Sequence, residues 1–244
     1  MNFKILTLFP DAIESYTSSS ILGKAQKEGL INIEYFNIRD YSADKHRKVD
    51  DTPYGGGFGM VMTPQPILDC YKDATKNLTG KTLTLYMSPA GKTFNHNMAL
   101  EFKEYNNIVI ICGHYEGIDQ RIIDKVVDAE VSVGDYVLTG GELPCAIVID
   151  AVSRLIDGVL PDSECYTKES IASGLLEHPQ YTKPAEYEGM CVPDVLRGGN
   201  HRDITDWQRK MALKKTLEVR PEMLDRANLD KNDILYIEKL NKNI

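Results

Sequence analysis

The sequence predicts an α/β domain built on a parallel sheet, followed by a small helical domain. Three observations predict it. Over the first two thirds of the 244 residues, short runs rich in Val, Ile, Leu and Tyr alternate with helix-like stretches. Two of three glycine-bearing loops directly follow such runs, at the strand ends where open α/β sheets bind ligands. At Gly158-Val159-Leu160-Pro161-Asp162-Ser163 the composition shifts to a polar loop, and beyond about residue 174 the pattern turns helical. The expected organisation is a sheet domain over 1–160, a connecting loop over 161–173 and a helical domain over 174–244.

The strand candidates are Phe3–Phe9, Ile31–Ile38, Lys81–Met87, Asn107–Cys112 and Glu130–Leu138, all rich in residues that suit a pleated, buried surface. Between them Ser18–Glu28, Pro64–Lys76, Asn95–Tyr105 and Asp119–Val127 read as helices, the crossovers that parallel strands require, packed on both faces of the sheet. A further helix opens at Pro144, since proline suits a first turn, and runs to about Asp157. In the last third, Asp203–Leu217 places Ile204, Trp207, Met211 and Leu217 near helical spacing, with Asp203 as N-cap; Asp230–Lys242 closes the chain as a last helix.

Composition narrows the function. Hydrophobic content of 42% and charged content of 26% suit a soluble protein whose core needs no staples. The apolar run Ile5-Leu6-Thr7-Leu8-Phe9 is cut off by Pro10, far short of the roughly 18 residues of a membrane span and too short for a signal-peptide core. A cytoplasmic protein with no membrane partner is expected. Five cysteines, widely spaced and without a CxxC pair, point to reduced thiols rather than disulfides or a zinc knuckle. The net charge of −8 excludes a chain that coats nucleic acid indiscriminately. Yet residues 197–220 hold seven bases against three acids, which fits either a local docking surface or a solvated helix face.

The three glycine loops are Tyr54-Gly55-Gly56-Gly57-Phe58-Gly59-Met60, Cys112-Gly113-His114-Tyr115-Glu116-Gly117 and Gly134 to Glu142. Glycine lets a backbone approach a ligand closely. Neither common nucleotide motif is present. A phosphate loop would need glycine five residues before Gly80 or Gly91, where Thr75 and Tyr86 stand, and the dinucleotide pattern begun by Gly57 and Gly59 has Met62 at its third position.

Taken in order, YGGGFGM, MSPAGKTF, ICGHYEGIDQR, SVGDYVLTGGELP, GLLEHPQYTKP, VPDVLRGGNHRDITDWQ and KKTLEVRPEML resemble the bacterial tRNA (guanine-N1)-methyltransferases of the SPOUT superfamily over most of the chain. The resemblance implies a deep trefoil knot in the first domain, a homodimer whose active site is shared between subunits, and a bent S-adenosylmethionine held in the knot. It implies methylation of the guanine immediately 3′ of the anticodon, with Mg²⁺ as a further requirement. Knots are nearly absent from proteins at large, so periodicity alone predicts an ordinary open sheet.

Carried over residue by residue, the resemblance assigns the cofactor to Gly113 and the run Val133, Gly134, Asp135, Tyr136, Val137 and Leu138, with Tyr86, Ser88, Pro89, Gly140, Gly141 and Pro144 around them. It assigns substrate contacts to Gly59, Tyr115, Glu116, His201 and Arg202. Guanine N1 is protonated at neutral pH, so transfer needs a base for that proton and a cation for charge growing on O6. The resemblance gives these tasks to Glu169 and Arg154. The family carries aspartate where this chain has Glu169; with a shifted loop, Asp162 or Glu164 could serve instead. Arg154 also has a local explanation, an ion pair with Asp150 one turn earlier. Glu116, which can read the guanine N1 or N2 edge, has one in Arg121. His114 and Lys183 stand where the family carries arginine.

Overall fold

The computed structural model describes residues 1–162, 170–171 and 173–242. It divides into two compact units, Met1–Ser163 and Glu164–Ile244. The strands of the first are β1 (Asn2–Thr7), β2 (Asn32–Asn37), β3 (Asp50–Asp51), β4 (Val61–Met62), β5 (Thr82–Thr93), β6 (Asn107–Cys112) and β7 (Ala129–Ser132). Its helices are α1 (Pro10–Thr17), α2 (Ser20–Lys27), α3 (Pro64–Thr75), α4 (His96–Phe102), α5 (Gln120–Val126) and α6 (Glu142–Ser153). Five strands form a wholly parallel sheet in the order β2-β1-β6-β5-β7, while β3 and β4 make a separate antiparallel pair.

Strand alternation sorts the core onto two faces. Leu6, Val109 and Ile111 pack with Ile67, Cys70 and Ala74 of α3 and Ile122 of α5. Ile5, Ile108, Ile110 and Cys112 point the other way, towards the face on which α6 packs against α1 and α4. That side is sealed by Cys145, Val148, Ile149 and Val152 of α6, all fully buried. Each such aliphatic side chain contributes about 1.5–3 kcal/mol by leaving water.

Four local features differ from the sequence expectation. β7 stops at Ser132 rather than Leu138, because the Ser132 hydroxyl bonds both the N–H and the carbonyl of Gly134, whose φ of 150° turns the chain out of the sheet. β5 runs on to Thr93 past an irregularity between Met87 and Lys92, where Gly91 lies so close to Val131 that a Cβ would meet its nitrogen at 2.4 Å. Pro10 opens α1 instead of merely ending a strand, with Asp11 in the first turn. α6 starts at Glu142, so Pro144 is its third residue.

The second unit holds β8 (Glu186–Tyr187), β9 (Met190–Cys191), α7 (Asp194–Arg197), α8 (His201–Val219) and α9 (Lys231–Asn241). Leu175, Ala212 and Leu213 form its core with Leu224, Leu229, Tyr236 and Ile237 against them. The N-cap of α8 is Asn200, not Asp203: Asn200 accepts from the Arg202 N–H at 3.2 Å and donates to Asp203 at 2.8 Å. Asp230 caps α9 in a reciprocal box with Asp233. Among the described residues the cysteines are free thiols, and no helix is long and apolar enough to cross a membrane.

Candidate functional site

The irregularity within β5 and the carboxyl ends of β6 and β7 deliver Ser88-Pro89, Gly113–Gly117 and Val133–Gly141 to one cavity of about 410 Å³, within the range of roughly 300–1,000 Å³ usual for small-molecule sites. All residues expected to hold the cofactor line it except Gly134 and Asp135, which belong to the same loop but stand outside the lining. Tyr115 and Glu116 also line it. So do Met87, His114, Ser132 and Thr139, which the sequence left unassigned; their only signal was adjacency to assigned positions.

The second and third glycine loops touch directly. The Gly141 N–H donates to the Gly113 carbonyl at 2.9 Å, and His114 bridges Gly140 in antiparallel fashion. A Cβ on Gly141 would lie 2.7 Å from Cys112 Cα, so only glycine allows this crossing. Beneath it, a Cβ on Gly113 would meet the Tyr86 hydroxyl at 2.9 Å. Burial pushes the Tyr86 phenol above its ordinary pKa, with the Glu130 charge acting the same way and a hydrogen bond from Ile118 opposing both. The phenol therefore stays protonated. Tyr136 braces its own loop by donating to the Val133 carbonyl at 3.1 Å.

The first glycine loop joins this assembly at one end. The Glu116 N–H donates to the Met60 carbonyl at 3.0 Å and the Met62 N–H to the Gly117 carbonyl at 2.9 Å. Gly59, at φ 85°, packs on the Glu116 side chain, where a Cβ would sit 2.5 Å from Cγ. Gly59 and Glu116 are thus neighbours although far apart in the chain. Arg121 does not engage Glu116: it grips Asp119 through two hydrogen bonds of 2.8 and 2.7 Å and holds that carboxyl below the usual range. The His114 ring turns its Nε2 to Glu142 Oε2, 2.7 Å away, so that nitrogen is engaged within the protein.

Arg154, the C-cap of α6, does not line the cavity. It lies on the outer face of α1 and α6, along a groove with Tyr16, Leu143, Ile147 and Asp150. Asp150 accepts a hydrogen bond from the Tyr16 hydroxyl. Glu169, and the alternative Glu164, lie outside the described residues, whereas Asp162 is exposed. In the second unit, exposed His201 and Arg202 rim a shallow hollow with Thr205, Asp206 and Arg209. Most of the basic strip is spoken for: Arg209 pairs with Asp233, Lys210 with Asp206, Lys214 with Glu218, Arg197 with Asp194 and Arg220 with Glu222. Among the described residues Arg202 and Lys215 have no ion pair, and no three His, Cys, Asp or Glu side chains come together as metal ligands.

A model of the tRNA (Guanine-1)-methyltransferase TrmD family matches residues 1–226. Proteins named tRNA (guanine-N(1)-)-methyltransferase are similar over nearly the whole length. That of Alkaliphilus metalliredigens is 50% identical over 99% of both chains. That of Caldicellulosiruptor saccharolyticus is 50% identical over 98% of this chain and 96% of its own. The Clostridioides difficile protein is 49% identical over 93% of this chain and 99% of its own.

Proposed function

Since the chain belongs to the tRNA (guanine-1)-methyltransferase family, we propose that it transfers a methyl group from S-adenosylmethionine to N1 of the guanine immediately 3′ of the anticodon in tRNA. The observation that carries this is the meeting of the second and third glycine loops around one cavity at the strand ends. Gly113, Gly140 and Gly141 carry no side chain to fill the cavity, so a ligand can approach the backbone closely there, and Pro89, Val137 and Leu138 supply apolar walls. When bound, the cofactor supplies an electrophilic methyl on a cationic sulfur.

This chain's residues prepare the nucleophile. Glu116, steadied beside Gly59, accepts from the N2 amino group of guanine, which adenine lacks. Arg154 stabilises charge growing on O6, and Glu169 takes the N1 proton; both roles rest on the resemblance. The outer position of Arg154 supports a homodimer. Its face also exposes Leu143 (60%) and Ile147 (39%), which a second copy would cover while bringing the arginine to its partner's cavity. The contact of loop 133–141 with loop 113–117 supports the trefoil knot. Residues 1–160 then hold the cofactor, 161–173 link, and 174–244 grip the tRNA through His201 and Arg202. The described residues offer no carboxylate cage for Mg²⁺, and no step is assigned to it. The work is cytoplasmic, where the tRNA is.

The test is methyl incorporation from labelled S-adenosylmethionine into unmodified tRNA, beside the same tRNA with adenine at that position. Incorporation into the first and none into the second is expected. Equal labelling of both, or of neither, contradicts the proposal.

A further inference from the structure

Glu142 takes no part in the chemistry above, yet it is a carboxylate only 9% exposed at the first residue of α6. Burial of such a group is tolerated only where hydrogen bonds compensate. Glu142 has two from side chains: Thr7 donates to Oε1 at 2.5 Å, and His114 Nε2 lies 2.7 Å from Oε2. The helix N-terminus favours its charge as well. Each partner belongs to a different element. Thr7 ends β1 and accepts from the Phe9 N–H at 2.9 Å, fixing the turn out of that strand. His114 belongs to the second glycine loop and meets the Phe9 ring edge-on at 4.9 Å. The third glycine loop rests on the pair itself: a Cβ on Gly140 would lie 2.5 Å from Glu142 Oε2 and 2.4 Å from His114 Cε1.

We propose that Glu142 is a positioning residue which, through His114 and Thr7, sets the second and third glycine loops in the geometry that binds the cofactor. The proposal rests on the cofactor assignment above. His114 and Gly140 are both cavity lining, so an imidazole released from Glu142 would swing into the cavity wall or let Gly140 sink onto the vacated space. Glu142 touches no substrate atom; its effect passes through the loops.

The experiment measures steady-state constants and S-adenosylmethionine affinity of the full-length protein with Glu142→Ala, Glu142→Gln, His114→Ala, His114→Gln and the double alanine variant, with melting curves alongside. Either alanine change should raise the cofactor KM about tenfold, as loss of a buried charged hydrogen bond does, and leave kcat at saturating cofactor within about twofold. Glutamine at either position keeps an amide able to complete the bond, so both glutamine variants should stay within about threefold of wild type. The double variant should be no worse than the worse single one, because the two act as a unit. Folded alanine variants with unchanged cofactor KM, glutamine variants as poor as alanine, or additive losses would each overturn the proposal. If Glu142→Ala does not fold, the His114 pair decides by the same criteria. A wild-type protein that binds no S-adenosylmethionine would instead overturn the cofactor assignment beneath it.

Discussion

Replacing Gly141 by alanine perturbs the crossing of the two cavity loops and almost nothing else. Gly141 has φ −82°, so alanine meets no backbone strain there. Its Cβ, however, would stand 2.7 Å from Cys112 Cα and 3.0 Å from Gly113 N, where ordinary contact begins at 3.4 Å. These are backbone atoms at the end of a buried central strand and cannot rotate away. The third loop must therefore lift by roughly 0.7 Å, stretching the bond between Gly141 and Gly113, at a cost of about 1–3 kcal/mol typical of overpacking. Charged to cofactor binding, that corresponds to a Kd raised about 5- to 150-fold. Calorimetry with S-adenosylmethionine measures it directly. Gly198→Ala is the control, since that glycine has φ −77° and its nearest obstacle is at 3.7 Å; it should bind as wild type does. A folded Gly141→Ala protein with cofactor affinity within twofold of wild type would refute the steric reasoning.

Glu169→Gln should keep cofactor affinity near normal while slowing single-turnover transfer by about 10²–10⁴-fold, the usual worth of a positioned base; equal rates would remove Glu169 from the chemistry. Ile147→Asp places a charge in the apolar face of α1 and α6 and should reduce the mass measured by light scattering to the 27.4 kDa of one chain, with transfer lost; a fully active monomer would end the shared-site proposal. Asp233→Asn breaks a pair whose carboxylate is buried but whose Arg209 is 37% exposed, so the usual cost of about 3–5 kcal/mol shrinks to about 1–2. Arg209 holds the Asp233 carboxyl below its unfolded value; its stabilisation is therefore present above about pH 4 and fades as pH falls through the lower folded value. The melting-temperature gap between wild type and Asp233→Asn should narrow on that acid limb, and a gap that persists undiminished there would assign the stability elsewhere.

Much of the sheet was legible because buried parallel strands write themselves as apolar runs, as Asn107–Cys112 does. The same property misled at Val133–Leu138. Val133, Tyr136, Val137 and Leu138 line a cavity rather than a sheet, and a ligand-lining loop has the same apolar composition as a strand. α1 was missed because Pro10 reads only as the stop of an apolar run, whereas proline also suits the first turn of a helix, where it stands. The Asn200 cap was passed over for Asp203 because both residue types cap helices, and only backbone geometry separates a cap from a first-turn acid. The partnerships of Glu116 with Gly59 and of Glu142 with His114 and Thr7 join positions remote in the chain, and no local pattern encodes them. Arg154 shows the limit from the other side: its helix was readable, but its exclusion from the cavity on a single chain followed only from the packing of α6 on α1.

The most direct measurement is mass-spectrometric mapping of tRNA after incubation with this protein and S-adenosylmethionine. One 1-methylguanosine per molecule, immediately 3′ of the anticodon and absent when Glu116→Gln replaces the wild type, is the expected result. A methyl group on another nucleotide, on another atom of that guanine, or on none would contradict it.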